Sequence, residues 1–168
     1  MKHHCLAILI VLLMLSCKSK KAPLASSKTA KIEVSASKAP SKLVSDIIRY
    51  AETFKGTRYK YGGTNRRGMD CSGLIYTSFK KHDIPVPRTT RDLKSYGKWV
   101  DVKTVIPGDL LFFATRKNSR AVNHVGLVTQ VRPGYVEFIH ASTSKGVMVS
   151  SLSDRYWYFA YVQARRIL

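Results

Sequence analysis

Cys71, His124 and His140 are the residues of this 168-residue chain whose types and placement could together break a covalent bond. Cys71 lies between Asp70 and Ser72-Gly73, where a Gly-rich, charged loop (Gly62 to Gly68) gives way to apolar residues at helical spacing. A thiol at a helix start meets free N–H groups and the positive end of the helix dipole, both of which favour the thiolate. A thiolate nucleophile also needs a base, and the base needs a third group to fix its tautomer. His124 is the candidate base, and later the acid to a leaving amine; His140 is the candidate orienting group. Both fall on strand-like runs, His-Val-Gly-Leu-Val-Thr-Gln-Val and Tyr-Val-Glu-Phe-Ile-His-Ala, with Arg132-Pro133-Gly134 between them. A hairpin centred near Arg132 sets positions summing to about 264 opposite one another, which brings 124 beside 140. The two rings share a face only if the loop has odd length or the ladder carries a bulge, because a one-residue slip reverses every side chain.

Each residue has another reading. Cys71 could be core packing at a helix start, and the histidines could be sheet residues with satisfied hydrogen bonds. The three together could also ligate zinc with one position open. That pattern lacks the close-paired ligand spacing of a strong zinc motif. Residue pattern alone leaves these alternatives standing.

The elements that must position these groups follow from periodicity. Val44, Ile47, Ile48, Ala51 and Phe54 recur at helical spacing after Pro40-Ser41, so a first helix ends near Lys55. Leu74, Ile75, Ser78 and Phe79 share a face of a second, which ends before Pro85. Thr89 or Thr90 caps a short third helix through Tyr96, with Gly97 as its stop. After Pro107-Gly108 the period becomes strand-like, in runs 109–114, 123–131, 135–141, 147–150 and 158–165. Helices first and strands second predict an α+β domain, N-terminal helices packed on an antiparallel sheet.

The N-terminal end has a different character. Met1-Lys2-His3-His4 and the apolar run Leu6 to Leu15 read as a secretory signal, too short for a comfortable permanent span. Ser16-Cys17 followed by Lys18-Ser19-Lys20-Lys21 resembles a lipoprotein cleavage site, which predicts a signal peptide over 1–16 and acylation of Cys17. Residues 17–44 then form a disordered basic tether, poor in large apolar residues, and 45–168 the catalytic domain. Cys5 leaves with the signal and Cys17 carries lipid, so Cys71 is the only thiol of the mature domain and forms no disulfide within it.

The net charge of +19 is shared: Lys18 to Val44 has seven Lys and one Glu, Ser45 to Leu168 has 21 Lys+Arg and nine acids. Such a balance favours polyanions, and in an exported chain anionic lipid or wall polymers are better partners than nucleic acid. A generic solvated surface explains the domain's charge equally well.

Five segments, Tyr59-Lys60-Tyr61-Gly62-Gly63, Asp70-Cys71-Ser72-Gly73-Leu74, Pro107-Gly108-Asp109-Leu110, His124-Val125-Gly126 and His140-Ala141-Ser142, resemble in order and separation the NlpC-type cysteine peptidases of bacterial cell-wall metabolism. The ending, from His140-Ala141-Ser142 to Ala164-Arg165-Arg166-Ile167-Leu168, is similar to the Spr-type lipoprotein murein endopeptidases of that family. The resemblance implies a papain-like core and a Cys-His-His triad of Cys71, His124 and His140. It also implies a Tyr59 hydroxyl near the oxyanion, with Asp70 and Ser72 flanking the nucleophile at the substrate. The implied substrate is the peptidoglycan stem peptide, cut at the D-alanyl to meso-diaminopimelyl cross-link, with no metal or organic cofactor. Other members cut between D-glutamate and diaminopimelate, and a noncatalytic wall-binding lipoprotein is the reading from another class. Lys18, where some bacteria use an acid for inner-membrane retention, points to the outer membrane, facing the periplasm.

Overall fold

The computed structural model describes residues 40–168; the signal segment, Cys17 and nearly all of the expected tether lie outside the described residues. Helix α1 (Lys42–Glu52) starts at Ser41, whose side chain accepts from the Val44 amide. Its apolar face, Val44, Ile47, Ile48 and Ala51, is buried. A two-stranded hairpin follows, β1 (Thr64–Asn65) and β2 (Gly68–Met69), inside the loop expected before the nucleophile. Helix α2 (Cys71–Lys80) comes next, then the short α3 (Thr90–Leu93) with Thr89 as its cap.

Strands β3 (Lys98–Val100), β4 (Leu110–Phe113), β5 (His124–Arg132), β6 (Tyr135–Ser142), β7 (Gly146–Ser151) and β8 (Tyr161–Arg166) form one antiparallel sheet, ordered β3-β8-β4-β5-β6-β7. The last strand is thus inserted between β3 and β4. Its end is pinned there: Arg166 donates from Nε and Nη2 to the two carboxylate oxygens of Asp109, 2.8 Å each, and Asp109 also accepts from the Ile106 amide. Asp109 is almost fully buried, so this bidentate pair carries a charge that would otherwise lack solvation.

The sheet alternates between two apolar layers. Leu110, Phe112, Val125, Leu127, Ile139 and Ala141 pack with α1 and α2. Leu111, Phe113, Val128, Phe138 and Ala164 form the other layer with Ala160 and the flanking Trp157. These last two belong to α4 (Arg155–Ala160), where periodicity predicts strand from 158 onward. Tyr156-Trp157-Tyr158-Phe159 has strand-forming chemistry, but packing overrides propensity: the helix turns Trp157 inward against Phe113 and Phe138, with ring centroids 4.9 and 5.3 Å away. The strand starts only at Tyr161. β3 and a single 3₁₀ turn (Val102–Thr104) are likewise additions to the sequence reading.

Candidate active site

The nucleophile candidate is set by local chemistry. Asp70 has extended backbone and caps α2, its carboxylate accepting from the Gly73 amide at 2.6 Å. Such a cap is worth about 1 kcal/mol and fixes where the helix begins, hence where Cys71 points. The same carboxylate accepts from the Gly62 amide at 2.7 Å and from both Nη atoms of Arg88 at 3.0 Å, tying the Gly-rich loop and the residue before α3 to one anchor. Gly73 is required by this closeness: a Cβ there would collide with the Gly63 carbonyl oxygen.

Cys71 is buried at the wall of an open cleft of about 510 Å³, which Tyr59, Asp70, Ser72, Arg88, Arg116 and Asn123 help to line. Its Sγ lies 3.5 Å from Thr90 Oγ1. Burial pushes the thiol up; the Thr90 hydroxyl and the amides of Val125 and Ser72 pull it back down, while the Asp70 charge adds to the rise. Tyr59 sits beside it because backbone bonds from Lys60 N to Met69 O and from Met69 N to Arg58 O bracket the residue against β2. Burial, then the Cys71 and Asp70 charges, raise its phenol, which keeps it a proton donor near neutrality.

The histidines depend on long-range register. The β5–β6 ladder starts at Arg132↔Tyr135 and is interrupted between Val128 and Gln130, after which Leu127 faces Ile139. One extra residue at Thr129 changes the parity, and that bulge puts His124 and His140 on one face. Continued, the register sets His140 across from Gly126, two residues beyond the pairing expected from sequence. The imidazoles are therefore diagonal neighbours, and His124 Nε2 is 3.0 Å from His140 Nδ1. His140 Nε2 is 2.9 Å from Ser150 Oγ on β7. Trp157 stacks on His124, centroids 5.5 Å apart at 25°, and meets His140 edge-on at 4.6 Å. Burial lowers both histidines, His124 to about 3, with His140 adding to the effect, and His140 to about 4. Both are neutral at rest.

Cys71 approaches the start of β5, where the Val125 amide, next in the chain to His124, reaches the thiol. Among the described residues no hydrogen bond joins Cys71 to His124, and His124 Nδ1 is not used in any. Unliganded catalytic sites commonly hold such contacts long and close them on substrate. Both nitrogens of His140 are engaged, by His124 and by Ser150, so a zinc ligand there would have to give up one of these contacts. Thr90, Arg88, Ser150 and Trp157 escape the sequence reading as site residues. Thr90 was visible there only as a cap candidate, and Ser150 depends on strand register.

A buried thiol with donors trained on its sulfur, in an α+β frame with a histidine-bearing strand beside it, is the arrangement of a cysteine peptidase. Comparison with known proteins makes that specific: the NlpC/P60 family profile matches residues 56–166, and the chain belongs to this family. It is 37% identical over 164 residues to the probable endopeptidase NlpC of Escherichia coli strain K12, covering 97% of this chain and 98% of that one. It is 38% identical over 121 residues to the murein DD-endopeptidase MepS/murein LD-carboxypeptidase of the same strain, covering 71% of this chain and 60% of that protein. Among solved structures, an NlpC/P60 family protein from Bacillus cereus superposes with a TM-score of 0.67 at 31% identity, over 74% of this chain and 40% of the other.

Proposed function

We propose that the protein is a peptidoglycan endopeptidase that hydrolyses stem-peptide bonds through Cys71, His124 and His140, with the D-alanyl to meso-diaminopimelyl cross-link as its bond. The observation that carries the catalytic assignment is the relay from His124 Nε2 to His140 Nδ1 at 3.0 Å and from His140 Nε2 to Ser150 Oγ at 2.9 Å. For His124 to act as a base, Nδ1 must be unprotonated. Nε2–H then donates to His140 Nδ1, which leaves His140 to donate from Nε2 to Ser150. Every member of this chain has a single consistent tautomer, and the free lone pair is the one needed for the thiol proton.

The neutral thiol and neutral imidazole then define the first step: His124 takes the Cys71 proton as sulfur attacks the scissile carbonyl. The tetrahedral oxyanion is held by the Cys71 N–H and the Tyr59 hydroxyl. Imidazolium at His124 protonates the leaving amine, and water, deprotonated by the same nitrogen, releases the acyl-enzyme. Asp70 and Ser72 act on the substrate through Arg88. Ser72 Oγ accepts from Arg88 Nη1 at 2.9 Å, so the two fix a guanidinium beside the cleft, where the substrate offers carboxylates.

The name of the murein DD-endopeptidase relative and the shared C-terminal pattern support cross-link cleavage. Purified D-Ala to meso-diaminopimelate cross-linked muropeptides, incubated with the chain and with Cys71→Ala, test it by product mass. The expected result is monomeric muropeptides with the wild type and intact dimer with the variant; normal cleavage by Cys71→Ala would overturn it. Export and acylation at Cys17, with outer-membrane anchoring, complete the proposal. Cys17→Ser should abolish incorporation of labelled lipid, and undiminished labelling would sink the anchor.

A further inference from the structure

We propose that a basic track leads from the Cys71 cleft, over the β1–β2 hairpin, to the groove between α1 and α2, and that it binds a carboxylate-bearing wall polymer beyond the scissile bond. The polymer's identity rests on the peptidoglycan reading above; the track itself rests on shape and charge. The cleft shares Tyr61 and Gly62 with a second depression of about 390 Å³ on the hairpin. That one shares Thr64, Asn65 and Arg67 with a third of about 510 Å³ against α1 and α2. The third shares Tyr50, Thr64 and Thr77 with a recess of about 290 Å³ at Lys80 and Lys81. The four depressions are thus neighbours in a row, each sharing wall residues with the next.

Lys60, Arg66, Arg67, Lys80 and Lys81 line that path, and among the described residues none of them is paired with a carboxylate. Asp46 is spent on Lys42 and Arg49, Glu52 on Lys55 and Asp70 on Arg88, while Asp83, two residues past Lys81, pairs with none of the track's cations. Three of the cations are held over aromatic faces, Arg66 at 5.5 Å from the Phe54 centroid, Lys80 at 5.4 Å from Tyr76 and Lys81 at 5.9 Å from Tyr50. Their stems are thereby ordered while their charge stays unneutralised, so an incoming anion meets cations already in position. Arg66 and Arg67 form the two-residue tip between paired Asn65 and Gly68, midway along the path. The cations are strung through successive depressions instead of converging on one point. That distribution suits an extended polymer with carboxylates at intervals better than a single small anion.

The test measures pelleting of the full-length chain, in a Cys71→Ala background that leaves the wall undigested, with insoluble peptidoglycan sacculi at low and high salt. Arg66→Ala with Arg67→Ala should weaken binding about tenfold at low salt and flatten its salt dependence. With Cys71 intact, the same double variant should cut a small soluble cross-linked muropeptide at the wild-type rate, which also shows that it is folded. Lys98→Ala with Lys103→Ala removes equal charge from the β3 edge and should leave pelleting unchanged. Undiminished pelleting by the Arg66/Arg67 variant, or an equal loss in the Lys98/Lys103 variant, would overturn the track. Should pelleting depend on Arg66 and Arg67 while wild type leaves the muropeptide uncut, the track stands and the endopeptidase reading falls.

Discussion

The two halves of the active site are equally buried and oppositely built. Cys71 and His124 are each 7% exposed. Around Cys71 the surroundings come chiefly from nearby sequence or loops, the Asp70 cap, the Gly73 contact and Thr90 at the start of α3, with the Val125 amide of β5 as a long-range donor. Around His124 everything comes from distant strands and from α4. Burial acts on both in the direction of neutrality, raising the thiol and lowering the imidazole. Under the proposed mechanism, the two groups that exchange a proton are therefore stored uncharged, and their ion pair forms only as substrate is attacked. Cys71 faces an open cleft; His124 is held by Trp157 stacked on it and by Phe113 tilted against it. Precision lies on the histidine side, access on the thiol side.

The sharpest way to break this comparison is to remove the base alone. His124→Ala should reduce kcat/KM on cross-linked muropeptide by about 10⁴-fold, as loss of a member of a cooperating triad does. Cys71→Ala/His124→Ala should then be no worse than either single variant. Additive losses in that double variant would show that the two groups do not act as one unit.

Acid should expose the difference next. A histidine buried neutral stabilises the fold fully above its unfolded value near 6.5. The unfolded chain binds protons below that pH while the folded one does not until about 4 at His140 and about 3 at His124, so stability falls as pH falls. From pH 6.5 to 5.0 the loss should be about 1.5 kcal/mol for each histidine, read from urea unfolding. His140→Gln should remove one share of that slope. A flat profile over this range would mean the pair is not held neutral.

At the far end of the relay the effect should be smaller. Ser150→Ala leaves His140 Nε2–H without its acceptor and loosens the tautomer that His124 needs, costing about tenfold in kcat with KM little changed. Ser150→Thr keeps a hydroxyl and should restore most of the rate. If Ser150→Ala changes KM instead, the residue belongs to substrate binding.

The same contrast explains what was readable from the chain. The helix at Cys71 announced itself through the change from the Gly-rich loop to the Leu74-Ile75-Ser78-Phe79 face, because 3.6-residue periodicity is local. The approach of His124 to His140 was foreseeable as a hairpin consequence, but not its register. The bulge at Thr129 decides which face each ring takes, and a bulge follows from how the strand packs on both layers at once. Ser150 was hidden for the same reason, two strands from His124. Trp157 lay just outside the strand run read from 158, which started too early because aromatic residues carry the same signal whether they fill a strand or a short helix with one inward-turned ring.

Thr90 offers the finest test of the nucleophile's side. Its hydroxyl lies 3.5 Å from Cys71 Sγ and is the largest of the influences that pull the thiol down against burial. Thr90→Val keeps the shape and removes the hydroxyl, so the thiol should rise further. Alkylation by iodoacetamide, followed against pH, should then have its midpoint at higher pH, and at neutral pH the thiol should react about fivefold more slowly, the size of one hydrogen bond. His124 and its partners keep their contacts in this variant, so the acid dependence of stability should stay as in wild type. A changed acid profile with an unchanged alkylation curve would reverse the assignment, placing Thr90 with the base and leaving the Val125 and Ser72 amides as the donors that govern the sulfur.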